Sequence, residues 1–161
     1  MNLEQPNLLK ILSGTHFAEG LSNCHLQCLC RAARLQRIEP GTVLFREGDH
    51  EDEIFVIVSG HVQLLMKVPG RGDVVFLTAG PGDLVGWSGV IGEGRMTATA
   101  KVTEDTTMIC LSGQRLKELC SCEPDLGYVL MKRIAQVLSQ RLLATRLQLL
   151  DLFAHSERSA V

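Results

Sequence analysis

The sequence predicts a mainly β fold of the α+β class: an antiparallel jelly-roll β-barrel flanked by N-terminal helices and followed by a long C-terminal helix. Three observations carry this reading. Apolar residues fall at helical spacing from Leu8 to Leu35, regroup into short β-type runs from about Arg37 to Leu111, and return to helical spacing from Ser112 onward. With 161 residues, 45% of them hydrophobic and 21% charged, the chain is expected to form one globular domain that buries a real core.

The elements follow in order. Within residues 1–35 the spacing predicts one or two short helices, with Ser22 as the cap of the helix that opens near Cys24. Residues 36–111 form the barrel. Thr42 to Phe45 precedes the turn Glu47-Gly48-Asp49, and Ile54 to Val58 ends at Ser59-Gly60. Val62 to Val68 ends at Pro69-Gly70-Arg71-Gly72, and Val74 to Thr78 leads into the sharp turn Gly80-Pro81-Gly82-Asp83. The runs Thr97 to Val102 and Thr107 to Leu111 complete seven or eight short strands at the spacing of a sandwich or barrel. Residues 112–153 read as a short helix capped by Ser112, then a long helix opened by Glu123-Pro124-Asp125, with Pro suited to a first turn. Residues 154–161 read as a polar, frayed tail.

In the long helix Met131, Ala135, Leu138, Leu142, Thr145, Leu149 and Leu152 are spaced 4, 3, 4, 3, 4, 3, which is a heptad seam. Leu130, Ile134 and Val137 form a neighbouring stripe suited to packing on the barrel. A helix of about 28 residues is about 42 Å long, more than a small barrel covers. Its outer half therefore calls for the same helix of a second copy, a homodimer.

Composition narrows the function. A formal charge of −2 carries no cationic excess of the kind that marks a phosphate-backbone binder. The purely apolar runs are far shorter than the roughly 20 residues of a membrane helix, and the first residues carry an acid and a proline where a secretory leader is basic and then apolar. The expected compartment is the cytoplasm, with the six cysteines as thiols. Cys24, Cys28 and Cys30 have a C-x3-C-x-C spacing that matches no recognised metal site, and neither does Cys120-Ser121-Cys122, so buried thiols are favoured over a metal or redox sensor. The acidic residues Glu47, Asp49, Glu51, Asp52 and Glu53 read as a solvated turn. The chain shows no nucleophile elbow, Walker loop or His-Glu zinc motif, and an enzyme is not expected.

The segment that carries chemistry runs from Gly86 to Thr99: Gly-Trp-Ser-Gly-Val-Ile-Gly-Glu-Gly-Arg-Met-Thr-Ala-Thr. Its glycines allow tight turns that bring backbone N–H groups toward an anion, and Arg95 offers a fork of donors. A plain glycine-rich connection with a solvated Arg95 is the alternative. The order of parts, with Arg46-Glu47-Gly48-Asp49, the Gly60 turn, the cassette ending in Ala98-Thr99 and the long helix, resembles the cyclic-nucleotide-binding domain. More narrowly it resembles the effector domain of the bacterial catabolite-activator and fumarate-nitrate-regulator family, from about Phe17 to Phe153. In that family the cassette reads roughly F-G-E-x-A-L and then R-x-A-T. Its glutamate binds the ribose, its arginine and nearby amides bind the cyclic phosphate, and a threonine in a long-helix R-L-x-x-T segment reaches the base.

Carried over, the resemblance assigns Gly86 and the pair Ala98-Thr99 to the cassette, and Arg141-Leu142-Leu143-Ala144-Thr145 to the long-helix segment. Trp87 stands at the glutamate position. An ungapped count puts Met96 at the arginine position, with Arg95 one residue early. Indole is a donor only and cannot replace a carboxylate, which argues against cyclic AMP itself while keeping a nucleotide or other small anion as the expected ligand. The Gly-Trp-Ser cassette is similar to that of single-domain bacterial relatives, which suggests a rebuilt pocket.

The expected ligand-binding residues are Gly86, Trp87, Ser88, Arg95, Met96, Thr97, Ala98 and Thr145. For Trp87 a hydrophobic plug and a stacking platform both stand. Ser88 and Thr97 either donate to a phosphate or satisfy loop carbonyls, and Thr145 either faces the ligand or bonds to its own helix. The resulting expectation is a stand-alone sensory domain that signals through an unidentified protein partner, since eight residues after Phe153 leave no room for a helix-turn-helix reader. A dimeric adaptor with its pocket plugged by Trp87 is the rival.

Overall fold

A computed structural model describes residues 5–158; residues 1–4, and 159–161 from the expected tail, lie outside the described part. Two four-stranded antiparallel sheets face each other. One has the order β1 (Ala33–Ile38), β8 (Thr106–Ser112), β3 (Glu53–Ser59), β6 (Leu84–Val85). The other has the order β2 (Val43–Phe45), β7 (Thr99–Val102), β4 (Val62–Val68), β5 (Gly72–Ala79). Helices α1 (Gln5–Ser13) and α2 (Asn23–Ala32) precede the strands, and α3 (Gly113–Cys122) and α4 (Pro124–Arg158) follow them.

The continuous apolar runs of β3 and β8 have a simple cause: both faces of these strands are buried. Ile54, Val56, Ile109 and Leu111 point to the helices and join Leu12, Leu29, Leu116, Leu126, Leu130 and Ile134 in one core. Phe55, Ile57, Met108 and Cys110 alternate with them and join Phe45, Val62, Leu64, Val85, Met96 and Val102 in a second core between the sheets. Phe45 and Phe55 stack there at 6.1 Å between ring centroids. At the β3–β4 turn Gly60 has φ +89°, and a Cβ there would lie 2.3 Å from Thr106 Oγ1.

Local signals set the helix ends. Ser22 Oγ accepts from the N–H of His25 and Ser112 Oγ from the N–H of Arg115, each satisfying a free helix donor. The stripe Leu130 and Ile134 is buried and Val137 is partly buried against the helical core. Each fully buried side chain contributes about 1.5–3 kcal/mol relative to exposure.

Three boundaries differ from the sequence reading. The first strand begins at Ala33, inside the segment expected to be helical, because Ala33 to Ile38 pair residue by residue with Leu111 to Thr106. The segment from Thr97 enters the sheet only at Thr99. The expected frayed tail is helical as far as Arg158, which makes α4 35 residues long, or about 52 Å.

All six cysteines are thiols; Cys24 and Cys122 are exposed and Cys110 is buried. Cys28, Cys30 and Cys120 pack against the helical core, and burial pushes the Cys30 and Cys120 thiols up. Among the described residues no cluster of three His, Cys, Asp or Glu side chains is placed to hold a metal, and no helix is long and apolar enough to cross a membrane. Desolvation pushes Cys110 from 9.0 up to about 12, so burying this thiol favours the folded state fully below the ordinary value and progressively less as pH climbs toward 12. At pH about 8, iodoacetamide should label Cys24 and Cys122 in the native protein and spare Cys110 until urea is added, as peptide mass mapping would show.

Candidate functional site

The site forms where β6 ends and α4 passes over the barrel. Gly86, at φ +81°, turns the chain out of β6 into a short 3-10 turn over Trp87–Gly89. A Cβ at Gly86 would lie 2.7 Å from the Glu53 carbonyl oxygen and 3.4 Å from the rings of Phe45 and Phe55. Only glycine meets both the left-handed backbone and this close approach. Ser88 and Gly89 are buried in the turn, and Trp87 is half-buried, packed on one side against the helical core.

Further along, the cassette runs beside the loop after β2. The Met96 N–H donates to Asp49 O at 2.8 Å, the Gly48 N–H to Met96 O at 2.8 Å and the Glu51 N–H to Gly94 O at 3.0 Å, while Arg95 pairs with His50 as an isolated bridge. Extended pairing alternates side chains. Met96 therefore turns inward, 2% exposed, and Arg95 turns out to solvent.

A cavity of about 210 Å³ opens between this cassette and α4. Gly86, Trp87, Ser88, Met96, Thr97 and Ala98 line it on the cassette side, and Phe45, Leu64, Phe76 and Leu77 form its apolar floor and mouth. From α4 come Leu138, Arg141, Ala144, Thr145 and Gln148. The expected pocket residues are thus brought together with one exception: Arg95 is exposed and is not in the wall. Trp87 forms part of the wall.

The cation of the cavity is Arg141, which was read from sequence only as the start of the R-L-L-A-T segment. The signal was present, because Leu138, Arg141, Thr145 and Gln148 are spaced 3, 4, 3 and share one face of the helix. Its guanidinium donates to the Leu84 carbonyl, the one hydrogen bond it makes within the described residues. Burial penalises the charged form and pushes Arg141 down from its ordinary value; the nearby Asp83 carboxylate opposes that shift. Asp83 is held in place by the Gly80 N–H, 2.8 Å from its Oδ2. The Thr145 hydroxyl donates to Arg141 O at 2.8 Å, a bond to its own helix that leaves its oxygen free to accept.

The seam residues Met131, Ala135, Leu142, Thr145, Leu149 and Leu152 are exposed and Leu138 is half-buried. Leu142, Leu149 and Leu152 are 53%, 54% and 69% exposed.

Residues 35–122 match the family model of the cyclic nucleotide-binding domain, more than half of the chain. This chain belongs to that family. The match includes the barrel and the cassette. The chain is 22% identical over 143 residues to the CRP-like cAMP-activated global transcriptional regulator of Mycobacterium tuberculosis, covering 89% of this chain and 62% of the relative. It is 28% identical over 123 residues to the cyclic AMP receptor protein of Thermus thermophilus, covering 76% and 55%. The chain thus spans less than two thirds of the length of these curated relatives. A cyclic nucleotide-binding domain from Methylobacillus flagellatus superposes with a TM-score of 0.78 at 23% identity, covering 91% of this chain and 82% of that one. The Thermus thermophilus catabolite activator protein superposes at 0.69 and 25% identity, covering 86% and 62%.

The position of Gly86 yields a direct test. Gly86→Ala should cost roughly 2 kcal/mol or more in urea unfolding and shift the emission of Trp87, the single tryptophan, because the turn must move to admit the methyl group.

Proposed function

We propose that this protein is a sensory domain in which a nucleotide or other small anion binds between the cassette and α4 and alters how α4 sits on the barrel. The observation that carries this reading is the shared wall: one cavity is lined by the cassette and by α4, with the cation on the helix. A ligand that bridges both elements favours the arrangement in which it contacts both, and shifts the equilibrium by the difference in its affinity for the two arrangements. Arg141 anchors the anion. Ser88 and Thr97 add hydroxyl contacts, Gly86 and Ala98 let the backbone approach, and Trp87 and Met96 enclose the remainder.

The output passes along α4. Its exposed seam pairs with the same helix of a second copy, and the dimer engages a protein partner. Binding rather than catalysis fits a domain of this family, and unpaired thiols fit a reducing compartment such as the cytoplasm.

Titration with a panel of cyclic nucleotides, small carboxylates and phosphate esters, followed by Trp87 fluorescence, tests the sensor. At least one compound should produce a saturable change. Arg141→Gln should weaken it roughly tenfold or more and Arg95→Gln by less than about twofold, the difference between a hydrogen-bonded ion pair and a solvated charge. Silence across the panel would favour the adaptor reading. For the dimer, sedimentation of Leu149→Asp should show half the mass of the unchanged protein with the barrel still folded, since the charge falls in the seam and touches no core residue.

A further inference from the structure

On the sensor reading above, the cavity walls themselves define the chemistry of the ligand. Apolar surface dominates: Phe45, Leu64, Phe76 and Leu77 on the barrel side, Met96 and Leu138 at the edges, and the Trp87 indole along one wall. The polar groups are few. Among the described residues the lining holds no Asp or Glu, so no acceptor-only group is available for the two hydroxyls of a ribose. Its side-chain oxygen acceptors are Ser88, Thr97, Thr145 and Gln148, and the Trp87 N–H is a donor only. A ribose placed here would trade water for an apolar wall with too few strong acceptors.

The charge pattern is equally one-sided. Arg141 is the single cation of the wall, partly buried, and it spends one of its five N–H groups on a neutral partner, the Leu84 carbonyl. Its nearest opposing charge is Asp83, which is exposed and outside the cavity lining. A guanidinium in an apolar setting with donors to spare favours a carboxylate or phosphate oxygen over a neutral acceptor.

We propose that the cavity takes a ribose-free amphiphile: a compact apolar body with one carboxylate or phosphate head. The head lies on Arg141, and the body lies among Phe45, Phe76 and Met96 beside Trp87.

Full-length protein titrated with octanoate, phenylbutanoate, octyl phosphate, octanol and cyclic AMP, by calorimetry and by Trp87 fluorescence, tests this. The anionic amphiphiles should bind at least tenfold tighter than octanol and than cyclic AMP. Arg141→Gln should abolish the preference over octanol, Arg141→Lys should keep much of it, and Ala144→Phe, which fills the cavity from α4, should remove binding while the thermal transition stays cooperative. Octanoate ahead of octyl phosphate identifies a carboxylate head, and the reverse a phosphate head. Octanol binding as tightly as octanoate, or octanoate binding unchanged in Ala144→Phe, would overturn the proposal. Arg141-dependent binding of cyclic AMP with no response to the amphiphiles would also overturn it while leaving the sensor intact. No response to any probe, in fluorescence or heat, would overturn the sensor reading as well.

Discussion

Where α4 leaves the helical core, the Arg141 guanidinium donates to the Leu84 carbonyl at the end of the barrel. Before it, Leu126, Leu130 and Ile134 are buried in the helical core; after it, every described side chain as far as His155 is exposed. The contact thus marks where the buried stretch of α4 ends and its exposed stretch begins. Desolvating a guanidinium is costly, and a backbone acceptor and the field of Asp83 oppose that cost only in part, since burial still holds Arg141 below its ordinary value. Because Leu84 lies two residues before Gly86, the same bond ties the helix to the strand that launches the cassette.

Much of the fold was legible because local chemistry and tertiary packing agree. Ser22 and Ser112 cap helices as their positions suggest, and the stripe of Leu130, Ile134 and Val137 faces the core as its spacing requires. The misreadings have physical causes. The segment from Ala33 to Ile38 follows a helix without a glycine or proline to break it, and only the ladder to β8 makes it a strand. The end of α4 looked like a tail because it is polar, yet once a helix is established each added residue extends the hydrogen-bond ladder at small cost.

The site was legible in composition and less so in orientation. Counting residues from Gly86 brings Arg95 within one position of the arginine expected of the family, but Met96 is buried in the cavity wall while Arg95 is exposed outside it. The pairing of Gly48 and Asp49 with Met96 settles that choice and is invisible without the neighbouring loop. The cation of the cavity wall is instead on the helix, at Arg141. On the proposed function this puts the helix itself in contact with the anion, which an arginine on the barrel would not.

The length of α4 has a mechanical meaning. From Arg141 to Arg158 the helix runs about 26 Å past its hydrogen bond to Leu84, so a tilt of about 5° there would displace Arg158 by roughly 2 Å. Arg141 sits at the midpoint of α4, with about 26 Å of helix on either side of it. On the proposed function, a tilt of that size at the cavity would reach the far end as a displacement comparable to the interlocking of side chains between two helices.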